Sequence, residues 1–207
     1  DDIAYLFNLR GKDITYNPVF LSYALISHDK ACLFVDEKKV SLALRKSLES
    51  QQVTLYPYEK IYAVLKTLNG SILLDPNKIN YALYVCLDQS VKIFKSENPT
   101  TLMKAIKNDV EIQNTKKVHI QDGVAFCKFM IALKQQIKKQ PTTELQAQAM
   151  LESYRKEQKD YIEPSFSTIC AYQENAAMMH YSATKKSNKT IVNEGLLLID
   201  SGGQYVG

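Results

Sequence analysis

"VFLSYALISHDKACLFVDEKKVSLALRKSLESQ", Val19 to Gln51, is the stretch on which the fold turns. Val19–Ser27 and Ala31–Asp36 are rich in β-branched, aliphatic and aromatic residues, and the polar His28-Asp29-Lys30 lies between them, so the pattern predicts a hairpin. Beyond Asp36 the period changes. From Val40 to Gln51 apolar residues recur at helical spacing, with Leu42, Leu44 and Leu48 available for one face. Strand, turn, strand and helix in one short stretch mark an α/β texture rather than a helical bundle or an all-β sandwich.

The same texture continues outward. "VTLY", a helix from about Glu59 to Leu68, "SILLD" after Asn69-Gly70, and "VKIF" at Val91–Phe94 complete a small mixed sheet with helices on it. From about Lys104 the chain turns to long helical patterns. "HIQDGVAFCKFMIALKQQIKK" sets Ile120, Val124, Cys127, Met130, Ile131 and Lys134 at three- and four-residue steps, which predicts a core-facing stripe with Gly123 as its weak point. That helix stops before Pro141. Thr142 or Thr143 can cap the next one, and Glu144 falls in its positive first turn. "SFSTICAY" (Ser165–Tyr172) and "LLLID" are the clearest later strands. The change of texture across Thr101–Ile112 divides the chain into domains 1–110 and 111–207.

Composition bounds the function classes. The 207 residues are 45% hydrophobic and 23% charged, ordinary for a globular protein. Lys and Arg number 26 against 22 Asp and Glu, interleaved along the chain, so no electrostatic footprint for nucleic acid emerges. No apolar run is long enough to span a bilayer. Cys32, Cys86, Cys127 and Cys170 stand far apart without CxxC spacing, which suits reduced, partly buried thiols in a reducing compartment better than a disulfide frame or a zinc site.

Three histidines can be weighed singly. His28 reads as an exposed turn residue and His119 as a structural or solvated one. His180 closes the apolar "NAAMMH" and precedes Tyr181 and Ser182, which can orient an imidazole by hydrogen bonds; a satisfied core histidine is the alternative. Asp200 ends the aliphatic run Leu196–Ile199. Burial of that run would carry the carboxylate into low dielectric, where it needs a partner. It is open to two readings, an Asx turn with Ser201-Gly202-Gly203 or a ligand to a divalent ion.

The blocks "DDIAYLFNLRGKDITYNPVFLSYALI", "HIQDGVAFCKF", "TELQAQAMLESYRKEQKDYIEPSFSTICAYQENAAMMHYSAT" and "LLLIDSGGQY" together resemble the long, multi-domain Xaa-Pro aminopeptidase family, the aminopeptidases P, in order and over nearly the whole chain. That family belongs to the pita-bread metallopeptidases, relatives of prolidase, creatinase and methionine aminopeptidase. The resemblance implies an α/β (α+β) chain: the C-terminal part of a second, creatinase N-terminal-like domain with a small mixed sheet at 1–110, then the first part of a pita-bread catalytic domain at 111–207. It implies that Asp200 is the first carboxylate ligand of a dinuclear metal centre, usually Mn2+. His180 becomes the imidazole that hydrogen-bonds substrate and helps stabilise the tetrahedral intermediate. Metal-bound water near neutral pH and an imidazole beside the scissile carbonyl suit that chemistry. The implied substrates are peptides with proline at the second position, in the cytoplasm, handled by a homodimeric parent.

By the same resemblance a second Asp, a His and two Glu should follow beyond Gly207, and a first domain should precede Asp1. The chain is therefore expected to be a fragment that binds manganese weakly or not at all and lacks peptidase activity. Two alternatives stand beside this: a non-catalytic creatinase-like binding module, in which His180 and Asp200 are structural, and a prolidase acting only on dipeptides. "NLRG" followed by "NPVF" argues against the latter.

Overall fold

The structure, a computed structural model, describes residues 1–206; Gly207, the end of the expected second domain, lies outside the described residues. The chain forms two compact units, one of Asp1–Ile14 and Pro18–Ile106, the other of Thr15–Asn17 and the residues from Lys107 on.

The first unit opens with α1 (Asp2–Leu6), capped by the Asp1 side chain. β1 (Ser22–Ile26) and β2 (Ala31–Val35) form the expected antiparallel hairpin, Tyr23 opposite Phe34. α2 (Leu42–Ser50) begins at Ser41, whose hydroxyl accepts from the Leu44 N–H at 3.2 Å, satisfying one of the helix's free donors. β3 (Val53–Pro57) then lies parallel to β2, the usual result of a crossover through a helix. Leu33 and Val35 pack on Leu48 and Val53, with Leu44 against them. Leu42, expected on that face, is 68% exposed, so two of the three leucines carry the contact. α3 (Lys60–Lys66), β4 (Ser71–Leu74), α4 (Tyr81–Tyr84), β5 (Lys92–Lys95) and α5 (Pro99–Ala105) complete the unit. Phe34 points to the sheet's other side, onto Ile61, Leu65 and Leu83. β2 is thus covered on both faces, which explains its unbroken apolar run.

The expected single mixed sheet is two sheets. β1-β2-β3 is mixed, whereas β4 and β5 pair only with each other, in parallel. β3 ends on Pro57, which has no N–H to extend a ladder, and β4 finds its partner across α4 instead.

In the second unit α6 (Asp109–Gln136) is 28 residues long and starts well before His119. Its start is a capping box: Asn108 Oδ1 accepts from the Glu111 N–H at 2.9 Å and Glu111 Oε2 from the Asn108 N–H at 2.8 Å. β6 (Thr142–Thr143) leads into α7 (Glu144–Lys156), capped by Thr143 and Gln146 in the same reciprocal way. β7 (Tyr161–Pro164), β8 (Ile169–Tyr172), β9 (Thr190–Ile191), β10 (Leu197–Asp200) and β11 (Gly203–Tyr205) follow. They form three antiparallel ladders, β10 with β8, β11 with β7 and β9 with β6. Phe129 and Leu133 of α6, Ala147 and Leu151 of α7, Cys170, Tyr172 and Ile191 make the core.

The expected stripe on α6 is on the wrong side. Ile120 is 69% exposed, Ile131 61%, and Cys127 is also exposed; the buried face is Ala125, Phe129 and Leu133. Of the six expected residues Met130 packs against the core. At about 100° per residue the two stripes lie on opposite sides of the helix, and both are apolar. α7 takes the face that carries Phe129, and its Ala147 and Leu151 are buried in the same cluster.

Candidate functional site

Asp200 ends β10 opposite Ile169 of β8. Burial along β10 alternates with the pleat: Leu197 and Ile199 pack on the core, while Leu198 and Asp200 point away from it. Only part of the aliphatic run is inside, and the Asp200 carboxylate is exposed. Among the described residues its side chain makes no hydrogen bond or ion pair, which corrects the expectation of a buried carboxylate in need of a partner and leaves the Asx turn unformed.

The residues just after Asp200 are held tightly. Arg155, 2% exposed, donates from Nε and Nη2 to Asp122 at 2.8 and 2.9 Å and from Nη2 to Ser201 Oγ at 3.1 Å. The Tyr205 hydroxyl donates to Asp122 Oδ1 at 2.8 Å. Asp122 on α6, Arg155 on α7, Ser201 and Tyr205 therefore pin the turn between β10 and β11. Burial pushes the Asp122 carboxyl up, but the hydrogen bonds and charge of Arg155, with the Tyr205 hydroxyl, outweigh it and hold the group below the usual carboxylate range. At Gly203 a Cβ would come within 2.8 Å of the Tyr205 ring and 3.1 Å of the Tyr161 ring, so the close approach of the chain here needs a residue without a side chain.

His180 lies in the segment that leaves the opposite end of β8, after Tyr172 and the 3-10 turn Gln173–Ala177. It is exposed, and its backbone is left-handed, φ 56°. The Tyr181 hydroxyl makes no hydrogen bond to the His180 ring. The Tyr181 phenol is buried and turned to Glu144, its oxygen 2.7 Å from Oε2. Glu144 is fully buried and also accepts from the Tyr172 N–H at 2.7 Å, Asn175 Nδ2 at 3.0 Å and the Lys189 N–H at 3.0 Å. Burial alone would raise its pKa; the donors of Asn175, Lys189, Tyr172 and Tyr181 reverse the sign and leave it lowered.

Glu144, Asp122 and Arg155 were missed in the sequence. Glu144 carries a signal only for its place in the first turn of a helix. Asp122 sits in a helical run read for its apolar residues, and Arg155 in the charge-rich "YRKEQKDY".

The ladder puts Asp200 and His180 at different ends of the β8–β10 pair, and no hydrogen bond links them. Among the described residues no group of three His, Cys, Asp or Glu side chains comes together to hold a metal ion. The described residues thus do not by themselves fit a dinuclear centre, to which Asp200 would bring one carboxylate.

The chain belongs to the creatinase/prolidase family: residues 1–111 match the Creatinase/Prolidase N-terminal domain, and residues 113–207 match Metallopeptidase family M24. It is 39% identical over 213 residues to Xaa-Pro aminopeptidase 1 of Dictyostelium discoideum, covering 100% of this chain and 33% of that protein. The X-prolyl aminopeptidase of Caenorhabditis elegans, described as a cytosolic enzyme with a di-nuclear active site, matches with a TM-score of 0.90 and 27% identity, over 99% of this chain and 35% of that one. Prolidase from Pyrococcus furiosus shares the fold at a TM-score of 0.63 and 22% identity, over 91% of this chain and 57% of that one. The chain thus spans about a third of the length of the curated relatives it matches. The resemblance carried by the "NLRG", "HYS" and "LLLIDSGGQY" blocks holds for family and fold.

Proposed function

We propose that this chain serves an Xaa-Pro aminopeptidase, which hydrolyses the bond between an N-terminal residue and a following proline. Asp200 is the first carboxylate of a dinuclear centre, and His180 is the imidazole that donates to the oxygen of the scissile carbonyl as charge develops there. The observation that carries this reading is the bare Asp200 carboxylate, exposed at a strand end and unpaired among the described residues, yet followed directly by Ser201 in the grip of a buried ion pair. A carboxylate without a structural partner on a fixed backbone suits an external ligand. Family membership across both units supports the same reading.

In this reading residues 1–110 belong to a creatinase N-terminal-like domain and 111–207 to the pita-bread catalytic domain. The complete enzyme is a cytoplasmic homodimer, and its two divalent ions, manganese in this reading, draw their other ligands from residues not described in this structure. The 207-residue chain alone is then inactive. Isothermal titration of this chain with manganese is expected to give no saturable micromolar binding; defined stoichiometry at that affinity would contradict the assignment.

For function, the chain is tested within a full-length polypeptide by following release of the first residue from Xaa-Pro peptides longer than dipeptides. Asp200→Asn should abolish turnover and lower bound manganese. His180→Ala should reduce kcat by about 10²–10³-fold with metal content unchanged, the usual loss on removing one donor to a developing oxyanion. Full activity of Asp200→Asn overturns the proposal, and cleavage restricted to Xaa-Pro dipeptides would assign a prolidase instead.

A further inference from the structure

Between Asn175 and Ile191 the only buried side chain is that of Tyr181. Met178 and Met179 are 51% and 92% exposed, and the His180 ring makes no hydrogen bond among the described residues. Packing therefore does little to fix this segment. Yet His180 adopts a left-handed backbone, which a non-glycine residue keeps only where its surroundings enforce it. What enforces it is next door. The Tyr181 N–H donates to Met178 O at 3.3 Å, closing a turn about His180, and the Tyr181 phenol reaches Glu144.

Glu144 ties down both ends of the segment as well as its middle. Tyr172 and Asn175 donate to it on the near side, Lys189 on the far side, and its own N–H donates to Lys189 O at 3.0 Å. Asn188 Oδ1 adds a bond from the Leu145 N–H at 3.1 Å. The carboxylate stands on the first residue of α7, so the segment is referred directly to a helix of the core.

We infer that Glu144 is the positioning residue for His180, acting through Tyr181 to fix the imidazole-bearing turn. Glu144 never touches substrate in this scheme. It sets where the His180 Cα stands, and without it the ring samples a wide volume. The importance of His180 rests on the peptidase reading above, but its placement can be measured in this chain without metal or substrate, so either idea can fail alone.

The test is nuclear magnetic resonance of the 207-residue chain, using His28 and His119 as internal references. In Glu144→Ala the His180 backbone signals should move to their random-coil positions, and amide exchange across residues 176–189 should rise at least tenfold, with the His28 and His119 signals unmoved. Tyr181→Phe, which keeps the ring and removes the single hydroxyl, should move the same His180 signals with a smaller rise in exchange, about threefold or more. If Glu144→Ala does not fold, Tyr181→Phe decides. Wild-type His180 signals in the folded variants, even with lowered global stability, overturn the inference and leave Glu144 a structural residue.

Discussion

Replacing Arg155 by Met isolates the ion pair behind the candidate metal ligand. The substitution keeps the aliphatic stem and removes the guanidinium, leaving Asp122 partly buried with the Tyr205 hydroxyl as its remaining donor. Removing one partner of a buried pair costs about 3–5 kcal/mol. The Arg155 side chain is 3% exposed but that of Asp122 is 27% exposed, so solvent recovers part of the loss and the low end, about 3 kcal/mol, applies. With a urea dependence of about 1.5 kcal/mol per molar for a unit of this size, the midpoint falls by about 2 M. Cys170 reports on this unit alone: it is 1% exposed in the core, and burial pushes its thiol up to about 12. Pulsed alkylation in urea, read at the Cys170 peptide, follows its opening. Asp122 is held low in the folded state, so its contribution is present above the unfolded value of about 4 and is lost as pH falls through the folded one. The gap between variant and wild type should therefore narrow from pH 5 to pH 3. In an Asp122→Asn background the cost should drop by at least about 1 kcal/mol, the signature of direct coupling. A midpoint shift below about 0.5 M at pH 7, or one unchanged in that background, would refute the account.

The two faces of α6 give opposite outcomes in the same assay. Phe129→Ala, at a fully buried ring, should cost about 3–5 kcal/mol, whereas Ile131→Lys on the exposed stripe should stay within about 0.5 kcal/mol. Gly123→Ala should raise stability by about 0.5–1 kcal/mol: the residue is helical, and an added Cβ meets nothing within 4 Å. A loss at Gly123, or equal costs at 129 and 131, would mean the helix packs otherwise.

Local chemistry made the elements legible. The polar turn at His28-Asp29-Lys30 yields the hairpin, and Asn69-Gly70 precedes the strand that starts at Ser71. The start of α6 is also written, in Asn108 and Glu111, well before the apolar pattern that begins at Ile120. Which way α6 faces was not written. Ile120, Val124 and Ile131 are as hydrophobic as Ala125, Phe129 and Leu133, and only the latter face meets the buried residues of α7. Strand partners were hidden for a similar reason. A strand's own residues show that it pairs, and only distant chain shows with what, as β4 and β5 illustrate.

The candidate site divides along the same line. Asp200 and His180 stood out because each ends an apolar run with a reactive side chain, and both prove to be exposed with no bond to each other. The residues that hold them were invisible, because Asp122, Glu144 and Arg155 look like any charged residues on helices whose faces repeat every few positions. Their roles come from burial, which periodicity in one helix does not determine: Glu144 and Arg155 are almost wholly inside, and each is matched by donors or acceptors from other elements. A buried, fully satisfied carboxylate or guanidinium is expensive to assemble and hard to move, while an exposed, unpaired one is free to meet a ligand. In the proposed reading the rigidity needed by the chemistry is supplied by side chains that take no part in it, one α7 residue serving the turn after Asp200 and another the turn around His180.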